Sequence, residues 1–349
     1  MKPQSQIFPN FYPFQCWSSP APQELGESAL DFLHHLNGPT HLYLPGQDGA
    51  RSRVIVTLLH GNEPSGLIAL YHLLKMGIKP AVDIHCIIAS VAAAKSPPTF
   101  HYRMLPGQKD LNRCFSAPFE DNPQDQLAKG ILETIEYLQP EAVIDVHNTS
   151  GSGPSFGVTT FMDPRHDALV SLFTQRMIVT DLNLGALMEI SEHIVPTVTI
   201  ECGGAADMES HLLAQEGIEQ FVIRDDVLTP PQTDFDLELF HNPIRLELTE
   251  NASIIYEEVP QQDVDLTLSP SIEHLNFGFV DESNDLGFLN TQMEDVLRAT
   301  NSHGEEVSQH YFQTDNGILR PTQQLKFFMV TTNPEIAKKD CLFYFVTAD

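Results

Sequence analysis

The amino-acid sequence predicts an α/β domain with a mainly parallel, mixed sheet flanked by helices, followed by a smaller β-rich C-terminal domain. Short apolar segments alternate with helix-length amphipathic segments through the first two-thirds of the chain, as in folds with a buried parallel sheet. After about residue 230 the pattern changes to short β-type segments with few helical signals. The length of 349 residues also exceeds what one hydrophobic core normally supports, so we expect two domains.

The first quarter of the chain supplies a helix, two strands and a second helix. Residues 1–23 are rich in proline and aromatic side chains and are expected to wrap a surface. The segment "ELGESALDFLHHL" predicts a helix over 24–36. Two strands follow on either side of a turn at 45–49, where proline and glycine favour a change of direction. The next helix, "PSGLIALYHLLKMG", has Pro64 near its first turn and Gly77 at its end, the usual places for these residues.

The remaining α/β elements continue the same alternation. "AVDIHCIIAS" predicts a buried strand, "NPQDQLAKGILETIEYL" a helix and "EAVIDVH" another strand. After a loop rich in glycine and serine, "GVTTFM" predicts a strand, and a helix is expected near 166–177. The strand "TVTIE" and a helix around 207–220 complete the pattern.

These changes of pattern divide the chain into three segments. Residues 1–50 are interpreted as an N-terminal extension with the first helix and strand, and 51–230 as the α/β domain that carries the candidate site. Residues 231–349 are interpreted as the β-rich domain. The boundary is placed at "TPPQTDFD", over 229–236, because two prolines and a shift in composition occur there.

The composition argues against nucleic acid or membrane partners. The net charge is −28 at pH 7, and acidic residues are concentrated between Asp207 and Arg298. Such a surface repels phosphate backbones and anionic lipids, and no apolar stretch approaches the roughly 18 residues of a membrane-spanning helix. The five scattered cysteines form no C-x-x-C pair and the N-terminus lacks a signal-peptide pattern, so we expect a cytoplasmic protein with reduced thiols. A homodimer is the default expectation for its assembly.

Ionisable side chains stand at the ends of three predicted strands. "VIVTLLH" ends at His60, with Glu63 three residues later, while "EAVIDVH" ends at His147 and "TVTIE" ends at Glu201. In open α/β sheets, binding sites form outside the carboxyl ends of the strands, so these side chains can converge. A buried carboxylate or imidazole without a partner is costly, and a shared site removes that cost.

Two imidazoles and one carboxylate form the ligand set of several catalytic zinc sites, which leave a fourth position for water. His60, Glu63 and His147 supply such a set for one zinc ion, and Glu201 is the candidate for moving the proton of that water. Taken singly, each residue has an ordinary structural explanation. A histidine at a strand end is commonly hydrogen-bonded, and a glutamate at a helix start commonly interacts with the helix dipole. Their joint occurrence at strand ends favours the metal site.

A second group of polar residues lies in the segment "HYRMLPGQKDLNRCF". Asn112 and Arg113 are adjacent, and a guanidinium beside an amide suits the binding of a carboxylate through parallel hydrogen bonds. Arg103 can supply positive charge to a developing oxyanion. Surface ion pairs are the alternative for each basic residue here. Because the chain has only 19 basic residues, the grouping of Arg103, Lys109 and Arg113 favours a small anionic substrate.

Four motifs resemble those of the succinylglutamate desuccinylase/aspartoacylase family, a branch of the zinc carboxypeptidase-like superfamily. The motifs are "HGNE", "DLNR", "DVHNTS" and "TIECG", and they occur in the order of that family over residues 60–203. Residues 1–50 have no clear counterpart, and the C-terminal region carries no motif that bears on the likeness. The resemblance implies a zinc carboxypeptidase-like fold, with a second domain that restricts access to the site.

The resemblance also implies roles for the residues of the metal site. His60, Glu63 and His147 would bind one zinc ion per chain. Glu201 would be the general base that activates water and then protonates the leaving amine. Asp110 would orient the ring of His60 from behind, as the carboxylate partners of metal-bound histidines do.

For the substrate, the resemblance implies that Asn112 and Arg113 hold the α-carboxylate of the amino-acid part and that Arg103 polarises the scissile carbonyl. Here "LPGQK" makes the spacing between this arginine and the D-x-N-R motif longer than the usual pattern of the family. Asp145 lies two residues before His147 and therefore points to the same side of the strand. It is either a partner of that imidazole or a buried structural carboxylate.

These observations favour a zinc-dependent hydrolase that cleaves the amide bond of an N-acyl amino acid. A metallocarboxypeptidase acting on peptides uses the same ligands and the same carboxylate clamp, and is the main alternative. The implied second domain favours the deacylase, because a peptidase needs an open groove. A non-catalytic binding protein on this scaffold is the third hypothesis, and it is disfavoured because the acid/base residue and all three ligands are present. The loops around 149–160 and 180–195 carry no motif that identifies the acyl group.

Overall fold

The computed structural model describes residues 4–149, 151, 153–181, 183–230, 237–301, 303–339 and 341–347, which form two compact units. The first unit contains residues within 1–148, 155–177 and 183–239, and the second contains residues within 149–154, 178–182 and 240–349. Most of the predicted boundary segment, 231–236, lies outside the described residues. The division into 1–50, 51–230 and 231–349 therefore stays a prediction.

The helices of the first unit begin in several cases at a capping side chain. Ser28, Asn122 and Asp163 each accept a hydrogen bond from a backbone N–H in the first turn of the following helix. None of the helices in the described part of the chain has the length and apolarity needed to cross a bilayer. The helices are α1 (Gln4–Ile7), α2 (Ala29–His35), α3 (Ser65–Met76), α4 (Val91–Lys95), α5 (Pro123–Leu138), α6 (Pro164–Ser171), α7 (Leu187–Ser191) and α8 (Met208–Ile223).

A mainly parallel sheet organises the α/β part of the chain, as the sequence predicts. Among the described residues it has nine strands in the order β1-β2-β4-β3-β5-β8-β6-β7-β9. The strands are β1 (Gln15–Ser18), β2 (Thr40–Leu44), β3 (Asp48–Thr57), β4 (Val82–Ile88), β5 (Val143–Thr149), β6 (Phe156–Thr159), β7 (Arg176–Val179), β8 (Thr197–Gly204) and β9 (Glu238–His241).

The centre of this sheet brings the ends of β3 and β5 to the same edge. β3 pairs in parallel with β4 on one side and with β5 on the other. Every residue of β4 and β5 is buried, and apolar residues of β3 and β5 pack in one core with α5. This burial explains the continuous apolar runs of the sequence. Because β3 and β5 are parallel neighbours, polar side chains at their carboxyl ends lie close together.

Two helix predictions are wrong in extent. The helix predicted over 24–36 is a 3-10 turn at Pro22–Leu25 followed by α2, because Gly26 between them has a φ of 78°, which interrupts a right-handed helix. The helix predicted near 166–177 starts at the Asp163 cap and ends at Ser171. After a turn, residues 176 and 177 belong to β7 in the sheet, where Met177 is fully buried.

The second unit is β-rich, as the sequence predicts. Its described strands form two five-stranded sheets, ordered β13-β18-β19-β10-β15 and β11-β12-β14-β17-β16. One apolar core includes residues from both sheets, such as Leu246, Leu266 and Phe327. The strands are β10 (Ile244–Leu248), β11 (Ile254–Tyr256), β12 (Leu266–Leu268), β13 (Phe279–Val280), β14 (Gly287–Leu289), β15 (Leu297–Thr300), β16 (Phe312–Asp315), β17 (Ile318–Pro321), β18 (Leu325–Phe328) and β19 (Phe343–Thr347). The helices are α9 (Met293–Val296), α10 (Ser308–Tyr311) and α11 (Pro334–Lys339).

A buried pair of histidines joins β2 and β4. His41 Nε2 lies 2.8 Å from His85 Nδ1, and both side chains are buried. The aromatic rings of Phe8 and Phe14 pack against His41, and that of Tyr43 packs against His85. Burial lowers the pKa of His41 to about 3, and the charge of His85 adds to this shift.

We expect His41 to make the protein less stable in acid. The pKa of His41 in the folded protein lies below the ordinary value of 6.5. Neutral His41 therefore makes its full contribution to the free energy of unfolding above pH 6.5, and this contribution is lost as the pH falls toward 3. The reason is that the unfolded chain binds the proton first, which changes stability by about 1.4 kcal/mol per pH unit. Denaturant unfolding at pH 7 and at pH 5 measures how much the free energy of unfolding falls between these two pH values. This fall should be about 2 kcal/mol smaller in His41→Gln than in the unmodified protein. Equal losses in the two proteins would contradict this role.

Candidate active site

The turn after β3 places His60 at the edge of the sheet. Leu58 is buried in the left-handed conformation, with a φ of 54°, and this bends the chain sharply where the strand ends. Ser90 holds the bend, because its backbone N–H donates to Leu58 O (2.7 Å) and its hydroxyl donates to the next carbonyl (2.8 Å). At Gly61 a Cβ atom would lie 2.6 Å from the Ala94 nitrogen. Only glycine therefore fits this turn without displacing α4.

His60, Glu63 and His147 meet in one buried cluster. Glu63 Oε1 lies 2.8 Å from His60 Nδ1, and its Oε2 lies 2.6 Å from His147 Nδ1. The three side chains offer ligand atoms that all lie within 4.8 Å of one another. Within the described residues, this is the one group of three or more His, Cys, Asp or Glu side chains with such an arrangement.

Each imidazole of the cluster is held by an aspartate on its other nitrogen. His60 Nε2 lies 2.9 Å from Asp110 Oδ1, and His147 Nε2 lies 2.8 Å from Asp145 Oδ2. A carboxylate in this position fixes the tautomer of a ligating histidine and raises its basicity. The sequence left two explanations open for Asp145, and the structure places its carboxylate against His147.

The arrangement fits a cation at the centre of the cluster. A neutral imidazole has one N–H, and with that proton on Nε2 facing aspartate, each Nδ1 turns a lone pair toward Glu63. A lone pair facing a carboxylate oxygen at 2.6–2.8 Å is repulsive unless a proton or a metal ion lies between them. Burial lowers the pKa of His147, but the charges of Asp145 and Glu63 outweigh it and hold the pKa well above its usual value. A divalent metal ion would therefore compete with protons for this cluster.

Glu201 lies beside the cluster, and one of its oxygens has no partner among the described side chains and backbone groups. It is in β8, opposite Phe156 of β6, and is 9% exposed. Its Oε2 has no hydrogen-bond partner in the described part of the chain. Burial raises the pKa of Glu201 to about 7, while the positive charge of His147 opposes the shift and the negative charge of Glu63 adds to it. A buried carboxylate of this kind can exchange a proton with a bound molecule.

Asp110 connects the cluster to Arg103 and to the turn that follows. Its Oδ2 accepts hydrogen bonds from Arg103 Nε (3.0 Å) and lies 2.9 Å from Nη2, while Oδ1 accepts the Asn112 backbone N–H (2.9 Å). Arg103 Nη1 is 3.7 Å from Glu63 Oε1. Burial alone would raise the pKa of Asp110, but its hydrogen bond with His60 and the charge of Arg103 hold the pKa below its usual range. One carboxylate therefore orients both an imidazole and a guanidinium.

Asn112 and Arg113 follow in a 3-10 turn, Leu111–Arg113, that Asp110 caps. Asn112 is buried, and its Oδ1 accepts the backbone N–H of Leu187 (3.0 Å). Arg113 Nη1 donates to the carbonyl of Asn112 (2.9 Å). The two residues of the predicted clamp are thus held by backbone contacts near the cluster.

Lys109 does not join this group, contrary to its inclusion in the predicted positive patch. Its Nζ lies 2.6 Å from Glu120 and 3.4 Å from Asp125, and its side chain is exposed. The contact with Glu120 is a surface ion pair, the alternative that the sequence left open, while the partner in the second contact, Asp125, is buried.

A hydrogen-bond network around Asn148 was not predicted from the sequence. The Asn148 side chain accepts the backbone N–H of Ser65 (3.0 Å) and donates to Ser65 Oγ (2.8 Å) and Gly203 O (2.9 Å). Ser65 Oγ also lies 2.7 Å from His211 Nδ1. Asn148 therefore ties together the segments next to His147, Glu63 and Glu201. The sequence signals for Asn148 were its adjacency to His147 and its place in the motif "DVHNTS".

Comparison with known proteins identifies the fold. No protein-family model and no curated protein sequence matches the chain. Solved structures do match. A succinylglutamate desuccinylase/aspartoacylase from Rhodobacter sphaeroides is 16% identical, with a TM-score of 0.53, over 87% of this chain and 85% of that one. The succinylglutamate desuccinylase from Chromobacterium violaceum is 14% identical, with a TM-score of 0.55, over 86% of each chain.

A variant of murine aminoacylase 3 is also similar, at 15% identity and a TM-score of 0.52, over 86% of this chain and 95% of that one. At such identities the likeness concerns the fold. The predicted fold class is confirmed, and so is the resemblance to structures of the succinylglutamate desuccinylase/aspartoacylase family at the level of the fold.

We expect the cluster to bind one divalent metal ion per chain. His147→Ala removes a ligand and leaves Glu63 with one imidazole, so bound metal should be lost. Atomic emission analysis after dialysis against trace zinc measures this directly. The control is His85→Ala, because His85 is also a buried histidine but lies on β4, outside the cluster. This change should leave the metal content unaltered. Stoichiometric metal in His147→Ala would contradict the assignment.

Proposed function

We propose that this protein is a zinc-dependent hydrolase that cleaves the amide bond of an N-acyl amino acid. The observation that supports it most is the buried cluster of His60, Glu63 and His147 with the unengaged oxygen of Glu201 beside it. The fold is also that of solved succinylglutamate desuccinylases and an aminoacylase.

The donor set favours zinc. Two imidazole nitrogens and one carboxylate oxygen match catalytic zinc sites, which have three protein ligands and an open position. Bound in such a set, zinc acts as a Lewis acid and makes water a nucleophile at neutral pH. Asp110 and Asp145 orient the two imidazoles, so the ligands are preorganised.

Glu201 is the proposed general base. Its Oε2 is buried and unengaged, so it can take a proton from the attacking water and return it to the leaving nitrogen. Arg103 is anchored on Asp110 through Nε and Nη2, which leaves its Nη1 on the side of Glu63. A guanidinium there can stabilise the negative charge that develops on the scissile carbonyl oxygen.

Asn112 and Arg113 form the proposed clamp for the α-carboxylate of the amino-acid part. Each side chain is planar and carries N–H donors that a carboxylate can accept. Because Asp110 caps the turn that carries them, the clamp is fixed relative to His60. The cytoplasmic location and homodimeric assembly expected from the sequence remain predictions.

A panel assay tests the proposal. Purified protein should release free amino acid from N-acetyl or N-succinyl L-amino acids, with zinc measured in the same sample. We expect turnover of at least one acyl amino acid and its loss after chelation. Release of C-terminal residues from peptides, with none of the acyl amino acids cleaved, would instead support the metallocarboxypeptidase. Tight binding without turnover of either class would support a non-catalytic binding protein.

We expect Glu201→Gln to lower kcat by about 10²–10⁴-fold, because the amide cannot accept the proton of water. The metal content should not change, since Glu201 is outside the ligand set. Glu209→Gln, which alters an exposed residue on α8, serves as the matched control and should retain full turnover. Full activity in Glu201→Gln would overturn the role of this residue.

A further inference from the structure

We propose that Glu189 is a positioning residue that orients the Asn112 side chain so that only its N–H donors face the substrate. This inference rests on the proposed function, in which Asn112 binds a carboxylate. It concerns the segment 184–189, which lies outside the four sequence motifs.

The carboxylate of Glu189 organises the turn that begins α7. Its Oε1 accepts the N–H of Leu184 (3.0 Å), and its Oε2 accepts those of Gly185 (2.7 Å) and Ala186 (3.2 Å). Glu189 is 9% exposed, so these charge-assisted hydrogen bonds are largely shielded from water. Three successive backbone N–H groups are therefore pointed at one side chain.

This turn is attached to the segment that carries the clamp. Leu187, the first residue of α7, donates its backbone N–H to Asn112 Oδ1 (3.0 Å), and Phe115 donates its N–H to Gly185 O (3.0 Å). Gly185 has a φ of 79°, and a Cβ atom there would lie 3.0 Å from the Arg113 carbonyl oxygen. The two segments thus approach as closely as glycine allows.

The contact with Leu187 decides which end of the Asn112 amide is available. An asparagine side chain has an acceptor oxygen and a donor nitrogen that exchange places when the amide rotates by half a turn. Because Leu187 N–H occupies Oδ1, the nitrogen must point the other way. Asn112 Nδ2 has no hydrogen-bond partner among the described residues and can donate to a ligand.

A chemical preference follows from this orientation. Asn112 Nδ2 and the Arg113 guanidinium present donors alone, so the group that they bind must present acceptors. A carboxylate meets that condition with both oxygens. An α-carboxamide does not, because its own NH₂ group would face a donor. If the turn were loosened, Asn112 could rotate and turn its oxygen toward the carboxylate, which would weaken binding.

Kinetics of Glu189 variants test the inference on the N-acyl amino acid of the panel that is cleaved fastest. Glu189→Ala should raise KM at least tenfold and leave kcat within about twofold, with the metal content unchanged. Glu189→Gln keeps one acceptor oxygen, so its KM should lie between those of the unmodified protein and Glu189→Ala. A raised KM with near-normal kcat separates positioning of the substrate from a general loss of structure.

The matched control is Glu192→Ala, one turn further along the same segment. Glu192 accepts the N–H of Thr197 and contacts His166, and none of its hydrogen bonds reaches the clamp. It should lower thermal stability without changing KM. An equal rise in KM for Glu192→Ala would overturn the inference.

A double-mutant cycle identifies the route of the effect. If Glu189 acts through Asn112, then Glu189→Ala should not raise KM further in a chain that already carries Asn112→Ala. An additional rise of the same size in that background would show that Glu189 acts elsewhere.

A measurement without substrate separates this inference from the proposed function. The Asn112 side-chain NH₂ resonances, identified by their loss in Asn112→Ala, should shift in Glu189→Gln and Glu189→Ala but not in Glu192→Ala. If no acyl amino acid is cleaved, the proposed function fails and this spectrum still tests the orientation. Unchanged resonances in both Glu189 variants would overturn the inference.

Discussion

The buried carboxylate of Glu63 is the constraint on which the rest of the site depends. It is 4% exposed, and a charge taken out of water needs partners of opposite charge or hydrogen-bond donors. Burial would raise the pKa of Glu63, but the charges of His60 and His147 hold it below its usual range. That requirement explains why two imidazoles face one carboxylate, and why a metal ion can take the place of the protons between them.

The same requirement extends outward through Asp110. Because this aspartate contacts His60, Arg103 and the backbone of Asn112, it links the proposed metal ligands to the proposed carboxylate clamp. Asn148 lies on the strand that carries His147, and its hydrogen bonds link this strand to the start of α3 and to the end of β8. Such shared partners hold catalytic groups at fixed distances, which is what preorganised catalysis requires.

The residue pattern predicted the strands best where burial alone determined which residue types occur. β4, β5 and the second half of β3 are buried, so apolar runs such as "VIV" and "CII" mark them in the sequence, and their identification is correct. Predictions were wrong where a local feature overrode the pattern. Gly26 breaks an apparently continuous helix by adopting a positive φ, and residues 176 and 177, at the end of another predicted helix, belong to strand β7 instead.

By itself, the sequence determined the α/β class, the β-rich C-terminal region and the candidates His60, Glu63, His147 and Glu201. It could do so because reactive side chains at strand ends are visible in residue order, and parallel strands bring those ends together. The three-dimensional structure was needed to show that Asp145 contacts His147, that Lys109 pairs with Glu120 and Asp125, and that Ser65 and Leu187 support the site. Ser65 meets Asn148 across 83 positions, and Leu187 meets Asn112 across 75. Contacts over such separations follow from packing in three dimensions, and no local period or spacing of residues records them.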